Sequence, residues 1–373
     1  MKRLPLSGAV LSALAFSAAT TVNAQENSAL DIGRFAIAGY GDVSYIDQDG
    51  VNSNVESRFV PIFLFQLSEK IHIESELEFS IGENGETEVE MEYADLHYFL
   101  NDNTTITAGK FLLPFGQFGP NLHPSWINKL PSGPALYGHG GNGSITPLLP
   151  VLSDTGINVR NSFNLGSGKL FTDFYLVSGP REEEEAHGAE EGEPAEDDGH
   201  GGLEAEVEFE YARGDNNDDK AFGGRVAYAF LPSWEVGYSF YEGAYDHDGE
   251  LDFKASAIDF NWIGTFSTVR GEWIETTTDF IHEDDGDFDQ FDRNGWYLQY
   301  SWQMRQLGKD ALNPLELVVR RSEITEVLEG ERWTVGINYW LESSAALKFA
   351  YEDTELEDGD TDNRFFIQLA FGF

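Results

Sequence analysis

The last residues of this chain, Asn363 to Phe373, constrain its fold more than any other stretch. Large apolar side chains stand at every second position back from the end, at Phe373, Phe371, Leu369, Ile367 and Phe365. The positions between them are mostly small or polar. Because successive side chains of a β-strand point to opposite faces of a sheet, this pattern predicts a strand with one apolar face.

The N-terminal segment predicts export. Lys2 and Arg3 are followed by an apolar run and by small residues up to Ala24. This is the pattern of a secretory signal peptide, so we expect residues 1–24 to be removed and the mature chain, 25–373, to begin at Gln25. No later stretch offers about 18 consecutive apolar residues, which argues against a helical membrane protein.

Alternation and turn residues predict about sixteen strands in the mature chain, with fourteen or eighteen as the alternatives if one hairpin is miscounted. Their predicted limits are 34–46, 57–67, 71–81, 88–100, 104–113, 155–164, 169–178, 221–230, 234–246, 251–262, 268–280, 293–304, 315–325, 332–341, 345–356 and 363–373. Each has roughly the ten residues that a tilted strand needs to cross a bilayer, and short turns alternate with longer loops. The sequence therefore predicts an all-β fold, a transmembrane antiparallel β-barrel of about 16 strands with a water-filled interior.

Composition narrows the partners and the chemistry. Aromatic residues make up 14% of the chain, which suits a lipid-facing belt, whereas the formal net charge of -43 excludes nucleic acid. The absence of cysteine excludes disulfides and thiol chemistry. The eight histidines are scattered, there is no G-x-S-x-G motif, and no Ser–His pairing suggests a nucleophile, so we expect no enzyme activity.

One long insertion, Leu113 to Ser153, follows the fifth predicted strand. It contains no Asp or Glu, and Lys129 is its only Lys or Arg. A surface loop is rarely so apolar, which predicts that the insertion folds inward and narrows a pore. The candidate constriction residues are Phe115, Phe118, Trp126, Lys129 and Tyr137. The alternative is a seal against a neighbouring subunit.

The strand end Gly109-Lys110-Phe111, followed by Pro114-Phe115-Gly116 and this insertion, resembles the phosphate-selective porin family of Gram-negative outer membranes. The resemblance implies a trimeric channel of sixteen strands whose third loop forms the constriction. In that family, anion choice depends on an arginine ladder and a lysine cluster. Basic and acidic residues predicted to line the pore here are Arg160, Arg225, Arg270, Arg320, Arg332, Lys348, Arg364, Glu74, Glu76 and Glu78. No lysine cluster accompanies them.

A second insertion, Gly179 to Asp219, is strongly acidic. Ten acids and no Lys or Arg lie between Glu182 and Asp198, so this segment should concentrate cations at the mouth of the barrel. His187 and His200 within it are candidate ligands for a divalent metal. A solvated loop screened by Ca²⁺ or Mg²⁺ is the alternative.

These patterns favour a porin in the cell outer membrane that lets small hydrophilic solutes or ions diffuse passively, without a cofactor beyond loop-bound divalent cations. The other interpretations are an uptake receptor for a divalent metal or metal chelate, and a passive anchor with a plugged barrel. The expected partners are outer-membrane lipids and lipopolysaccharide. The porin resemblance implies a homotrimer, and the resemblance of Asn363 to Phe373 to the C-terminal strand of outer-membrane β-barrel proteins implies the barrel-assembly machinery, through Phe373.

Overall fold

The computed structural model describes residues 34–82, 85–138, 143–182, 207–209, 217–231, 233–282, 288–357 and 359–373. Within these ranges, sixteen antiparallel strands form one closed barrel. Its first seven strands are β1 (Phe35–Gln48), β2 (Asn54–Ser68), β3 (Ile71–Ile81), β4 (Thr87–Asn101), β5 (Thr104–Leu112), β6 (Ser153–Leu165) and β7 (Gly168–Val177). Two short strands, β8 (Arg181–Glu182) and β9 (Val207–Glu208), pair with each other.

The other nine barrel strands are β10 (Ala221–Leu231), β11 (Trp234–Ala244), β12 (Asp252–Ile263), β13 (Ser267–Ile281), β14 (Phe288–Gln303), β15 (Leu315–Glu326), β16 (Gly330–Glu342), β17 (Ala345–Leu356) and β18 (Thr361–Gly372). The described helices are one π-helical turn, Phe118–Leu122, and two 3₁₀ turns, Met304–Leu307 and Asp310–Leu312. None of these has the length and apolar character of a transmembrane helix.

The prediction of a sixteen-stranded barrel is confirmed. Each predicted strand corresponds to a barrel strand, and β14 shows the largest difference, because it begins at Phe288 rather than at Arg293. The ribbon of β8 and β9 was not predicted.

The alternation of side chains gives the barrel two different faces. In β16, Trp333 and Val335 are exposed, whereas the alternate residues Arg332 and Thr334 are buried. An outward side chain of a single closed barrel has nothing to cover it, so the buried set must point to the interior. The exposed apolar residues therefore form the outer surface, as the sequence predicted.

β1 and β18 close the barrel. They pair antiparallel, with Tyr40 opposite Gly372. Just beyond this register, the N–H of Phe373 donates to the carbonyl of Gly39 at 2.9 Å, and the N–H of Gly39 donates back at 3.0 Å. The Phe373 ring stacks on Phe59 of β2, with 5.5 Å between ring centroids. Phe373 thus extends the pairing of β18 with β1 and also contacts β2, the strand on the other side of β1.

Replacing this aromatic residue by an acid, Phe373→Asp, should strongly reduce the folded barrel recovered from the outer membrane. The change removes the stacking of this ring on Phe59 and places a carboxylate where β18 meets β1. Leu341→Asp is the matched control, because Leu341 lies at the same barrel end and is 53% exposed against 52% for Phe373. Folded protein is measured by its heat-modifiable migration on a gel, and equal yields of the two variants would contradict the prediction.

Candidate functional site

Residues 113–152, which we call the β5–β6 segment, are largely buried against the interior face of the barrel. Leu113, Phe115, Phe118 and Tyr137 are each at most 3% exposed and belong to a hydrophobic cluster with residues of β7 and β10–β15. Trp126 is half-buried, and its ring lies against Gly372 of β18. A Cβ atom added to this glycine would be 3.0 Å from the ring. That this segment narrows a solute pathway remains a prediction.

Glu272 of β13 binds the beginning of the segment. Its Oε1 accepts the backbone N–H groups of Gln117, at 3.1 Å, and Phe118, at 2.7 Å, and also the hydroxyl of Tyr297. Its other oxygen accepts the hydroxyl of Tyr137. Burial, and then the nearby Glu272 charge, raise the pKa of Tyr137 well above its ordinary value, so this hydroxyl keeps its proton and donates.

Position 116 has no room for a side chain. Gly116 has a left-handed backbone, with φ of 60°, and an added Cβ would lie 2.4 Å from the Glu272 carboxylate. The N–H of Gly116 donates to Oγ of Ser239 in β11 at 3.0 Å. Glycine therefore allows the chain to turn tightly against β11 and β13.

The middle of the segment contacts a buried carboxylate, Glu352 of β17. One Glu352 oxygen accepts the Ser132 hydroxyl, and the other lies 2.6 Å from the guanidinium of Arg364. Arg320 and Arg332 approach the same carboxylate at 3.6 and 3.9 Å. Arg320 also donates to the Ser132 carbonyl at 3.1 Å. Three guanidinium groups and one carboxylate thus meet beneath the segment.

A second buried pair involves Lys129, whose Nζ lies 2.9 Å from Oε1 of Glu316 in β15. The indole N–H of Trp340 donates to the other Glu316 oxygen at 3.0 Å. Nearby, the ammonium of Lys348 in β17 donates to the carbonyls of Ser125 and of Asn128, the latter at 2.7 Å. Carbonyl groups that the irregular segment leaves without secondary-structure partners are satisfied in this way.

The end of the segment is held similarly. Arg293 of β14 donates to the carbonyls of Thr146 and Pro147, both at 2.8 Å, and Asp362 of β18 accepts the Ser144 N–H at 3.0 Å. All these polar contacts fall on β11 and β13–β18. Because those strands are neighbours in the barrel order, these contacts lie on one side of the wall.

A cavity of about 410 Å³ lies on the other side of the segment. Its wall residues come from β18 and β1–β6, which are consecutive in the closed barrel. Six carboxylates and two basic groups line it: Asp42, Glu56, Glu78, Glu88, Glu90, Glu92, Arg58 and Lys110. Arg58 pairs with Asp42 at 3.1 Å, and Lys110 donates to the carbonyl of Met91. The cavity is therefore predominantly acidic.

The basic residues predicted to line the pore divide into two groups. Those at most 3% exposed lie beneath the segment: Arg320, Arg332, Lys348 and Arg364. Of the others, Arg160 pairs with Asp173 at 2.7 Å, Arg225 pairs with Asp259 at 2.6 Å, and Arg270 is half-buried in β13.

The predicted acidic residues lie together on β3, where Glu74 contacts His72, Glu76 contacts Tyr40, and Glu78 contacts Arg58. Among them, Glu78 lines the cavity. The acids of β4 that also line it were not predicted, although Glu88, Glu90 and Glu92 alternate along that strand and thus share one face.

The proposed metal ligands His187 and His200 lie outside the described residues. Among the residues that the structure describes, one group of candidate ligands comes close together: Glu76, Glu92 and His123. His123 of the β5–β6 segment was not predicted as a ligand. Its position after a π-helical turn gives no recognisable sequence signal.

No family model and no curated protein matches this chain. Solved structures do match in fold. An anion-selective porin from Comamonas acidovorans is 12% identical, with a TM-score of 0.59 over 91% of this chain and 99% of that chain. OmpF from Salmonella typhi, in complex with daunomycin, is 10% identical, with a TM-score of 0.58 over 92% and 99%. The outer membrane channel DcaP of Acinetobacter baumannii is 11% identical, with a TM-score of 0.55 over 91% and 97%.

At sequence identities of 10–12%, the similarity establishes the fold of this chain and not its function. The similarity covers nearly all of each matched chain, so it concerns the whole barrel rather than one hairpin. This chain therefore has the closed antiparallel barrel fold found in outer-membrane porins and channels.

Proposed function

We propose that this protein is an outer-membrane porin through which small hydrophilic cations diffuse passively. The barrel has an apolar outer surface that suits lipid and lipopolysaccharide, and many of its buried interior side chains are polar or charged. The β5–β6 segment acts as the constriction, and the acidic cavity beside it is the solute pathway. No covalent chemistry is needed for this function, and a homotrimer is the expected assembly.

The acidic cavity is the observation that carries the cation preference. Its six carboxylates outnumber its two basic groups, and one of these, Arg58, is paired with Asp42. Charges that line a narrow, low-dielectric passage add their potentials and raise the local concentration of the opposite ion. Anions entering such a passage would be repelled.

The positions of three arginines that were predicted to line the pore also support a preference for cations. Arg320, Arg332 and Arg364 surround Glu352 beneath the segment, so they do not line the acidic cavity. Selection of phosphate would require basic groups exposed to the permeating ion. We therefore propose a general cation-preferring porin rather than a phosphate-selective one.

Neutralising two cavity acids, Glu88→Gln with Glu90→Gln, should lower the cation-to-anion permeability ratio by a factor of about 2 to 5. A unit charge about 4 Å from a permeating ion changes the energy of that ion by about 1 kcal/mol in water. Loss of two such charges is therefore enough to change the permeability ratio by this factor. The ratio is obtained from the reversal potential across a KCl gradient in a planar bilayer. The effect should fade at high salt, because the Debye length falls from about 10 Å at 0.1 M to about 3 Å at 1 M.

The matched control is Asp353→Asn with Glu355→Gln, which removes the same charge from exposed positions of β17. This pair should leave the permeability ratio unchanged. An anion-selective wild-type channel whose current is blocked by phosphate would refute the proposal. A barrel without conductance would instead favour the anchor, whereas the uptake receptor for metal depends on His187 and His200, outside the described residues.

A further inference from the structure

A buried cluster lies where the β5–β6 segment meets β3 and β4. Glu76 of β3, Glu92 of β4 and His123 of the segment each offer one ligand atom, and these atoms lie within 4.8 Å of one another. All three residues are at most 8% exposed. The contacts of the segment with Glu272, Glu316 and Glu352 lie on the opposite wall, so this cluster is a separate attachment on the cavity side.

The orientation of the His123 ring is fixed from outside the cluster. Its Nδ1 is hydrogen-bonded to the backbone carbonyl of Gly119, which can only accept, so Nδ1 carries the hydrogen. Nε2 consequently points toward the carboxylates, 3.2 Å from Oε1 of Glu92. Histidines that bind metal ions almost always donate their other ring N–H to a carbonyl or carboxylate in this manner.

Glu76 is also positioned by outside groups. The hydroxyl of Tyr40 in β1 donates to its Oε1 at 2.9 Å, and Tyr93 of β4 forms a side-chain hydrogen bond with it. Two carboxylates and one imidazole are thus brought together in the interior of the barrel. Buried charges are normally paired or bind a metal ion, and a divalent cation would balance both carboxylates.

We propose that Glu76, Glu92 and His123 bind one divalent transition-metal ion of the zinc class, which joins the β5–β6 segment to β3 and β4. One imidazole nitrogen and two carboxylate oxygens suit Zn²⁺, with a water completing a tetrahedral set. Ca²⁺ prefers six to eight oxygen ligands, which this cluster does not provide. Glu92 also lines the acidic cavity, which offers the ion an entry path.

Titration calorimetry with ZnCl₂ on the chelator-treated, folded barrel tests the site. His187→Ala and His200→Ala are introduced into every protein so that the acidic segment contributes no histidine ligand. The protein with only these two substitutions, called the parent, should bind one Zn²⁺ ion more tightly than any further Zn²⁺ ion. Ca²⁺ should not compete for this site. His123→Ala and Glu92→Gln should each lose that equivalent. Tyr40→Phe should weaken it by about 10-fold or more, as expected for a group that orients a ligand.

His282→Ala is the matched control. His282 lies 3.3 Å from an Asp289 carboxylate, but both side chains are exposed and far along the chain from the cluster. This variant should bind as the parent does. Heat-modifiable migration establishes that each variant is folded, and Glu92→Gln keeps the size of the side chain if His123→Ala fails to fold.

Cobalt provides a second readout. Co²⁺ in a site of one nitrogen and two oxygens should give visible ligand-field absorption in the parent that is absent from folded Glu92→Gln. Zinc binding that is equal in the parent, His123→Ala and Glu92→Gln would overturn the proposal. Tight binding of Ca²⁺ at the same site would overturn the assignment to the zinc class.

Discussion

Deleting residues 121–144, the central part of the β5–β6 segment, should raise the single-channel conductance several-fold while the barrel still inserts. The deletion removes Lys129, Ser132 and Tyr137, through which the segment contacts Glu316, Glu352 and Glu272. The space that they occupy would then fill with water. Sixteen strands enclose an aqueous channel when nothing fills it, whereas the unaltered chain offers a cavity of about 410 Å³.

The barrel itself should tolerate this change, because its strands are held by their own ladders. Hydrogen-bonded pairing runs through all sixteen strands to the seam of β1 and β18, and none of it passes through residues 121–144. Heat-modifiable migration would verify insertion. Conductance is measured in planar bilayers at 1 M KCl, where the wall charges are screened.

A deletion of equal length, residues 183–206, is the matched control. It removes acids of the second insertion and should change the conductance at 1 M KCl little. At low salt it should weaken cation preference, because those acids act through their field. If the first deletion left the conductance unchanged, the segment would not restrict the pathway, and the alternative of a subunit contact would gain support.

The strands were predictable because their signal is local. Alternation over a few residues, as in Trp333, Thr334 and Val335, reports both the strand and its two faces. Turns such as Asn101-Asp102-Asn103 gave the limits. The beginning of β14 was less clear, because Phe288 to Asp292 contains two Asp and one Gln and follows an acidic run in the sequence, Glu283 to Asp287. There, pairing with β13 extends the strand, with Ile281 opposite Phe288.

The interior was less predictable, because it depends on register between distant strands. Asp42 stands opposite Arg58, and Glu78 stands opposite Glu90. Such neighbours cannot be read from either strand alone, and two like charges placed opposite each other run against local preference. The apolar character of residues 113–153 predicted burial, but the partner of Ser132 lies 220 residues later and that of Lys129 lies 187 residues later.

The arginines illustrate the same limit. Arg320, Arg332 and Arg364 alternate on inward faces, so the sequence indicated where they point. It could not indicate depth, nor that a single carboxylate on β17 stands among them. Their role changes accordingly, from candidate anion ligands to the counter-charges of Glu352.

Glu352→Gln should therefore destabilise the protein far more than the loss of an exposed acid on the same strand. The change keeps the size of the side chain but leaves three guanidinium groups beneath the segment without their common carboxylate. Removing one partner of a buried ion pair costs about 3–5 kcal/mol, because the remaining charge is uncompensated. We expect a loss of that size in the free energy of unfolding, measured by urea titration in lipid vesicles. Glu355→Gln, three residues along β17 and exposed, should cost less than about 0.5 kcal/mol.

A double substitution separates the charge effect from simple loss of packing. Arg364 is the arginine nearest to Glu352, at 2.6 Å, so Arg364→Gln in the Glu352→Gln background removes one of the three cations that surround this position. If repulsion among guanidinium groups causes the loss, the double variant should be more stable than Glu352→Gln alone. Residues in one network do not contribute additively, and the difference gives their coupling energy. The contrary result is a loss in the free energy of unfolding of the double variant that equals the sum of the losses in Glu352→Gln and Arg364→Gln alone. That result would show that the cluster stabilises the segment by packing, with little contribution from charge.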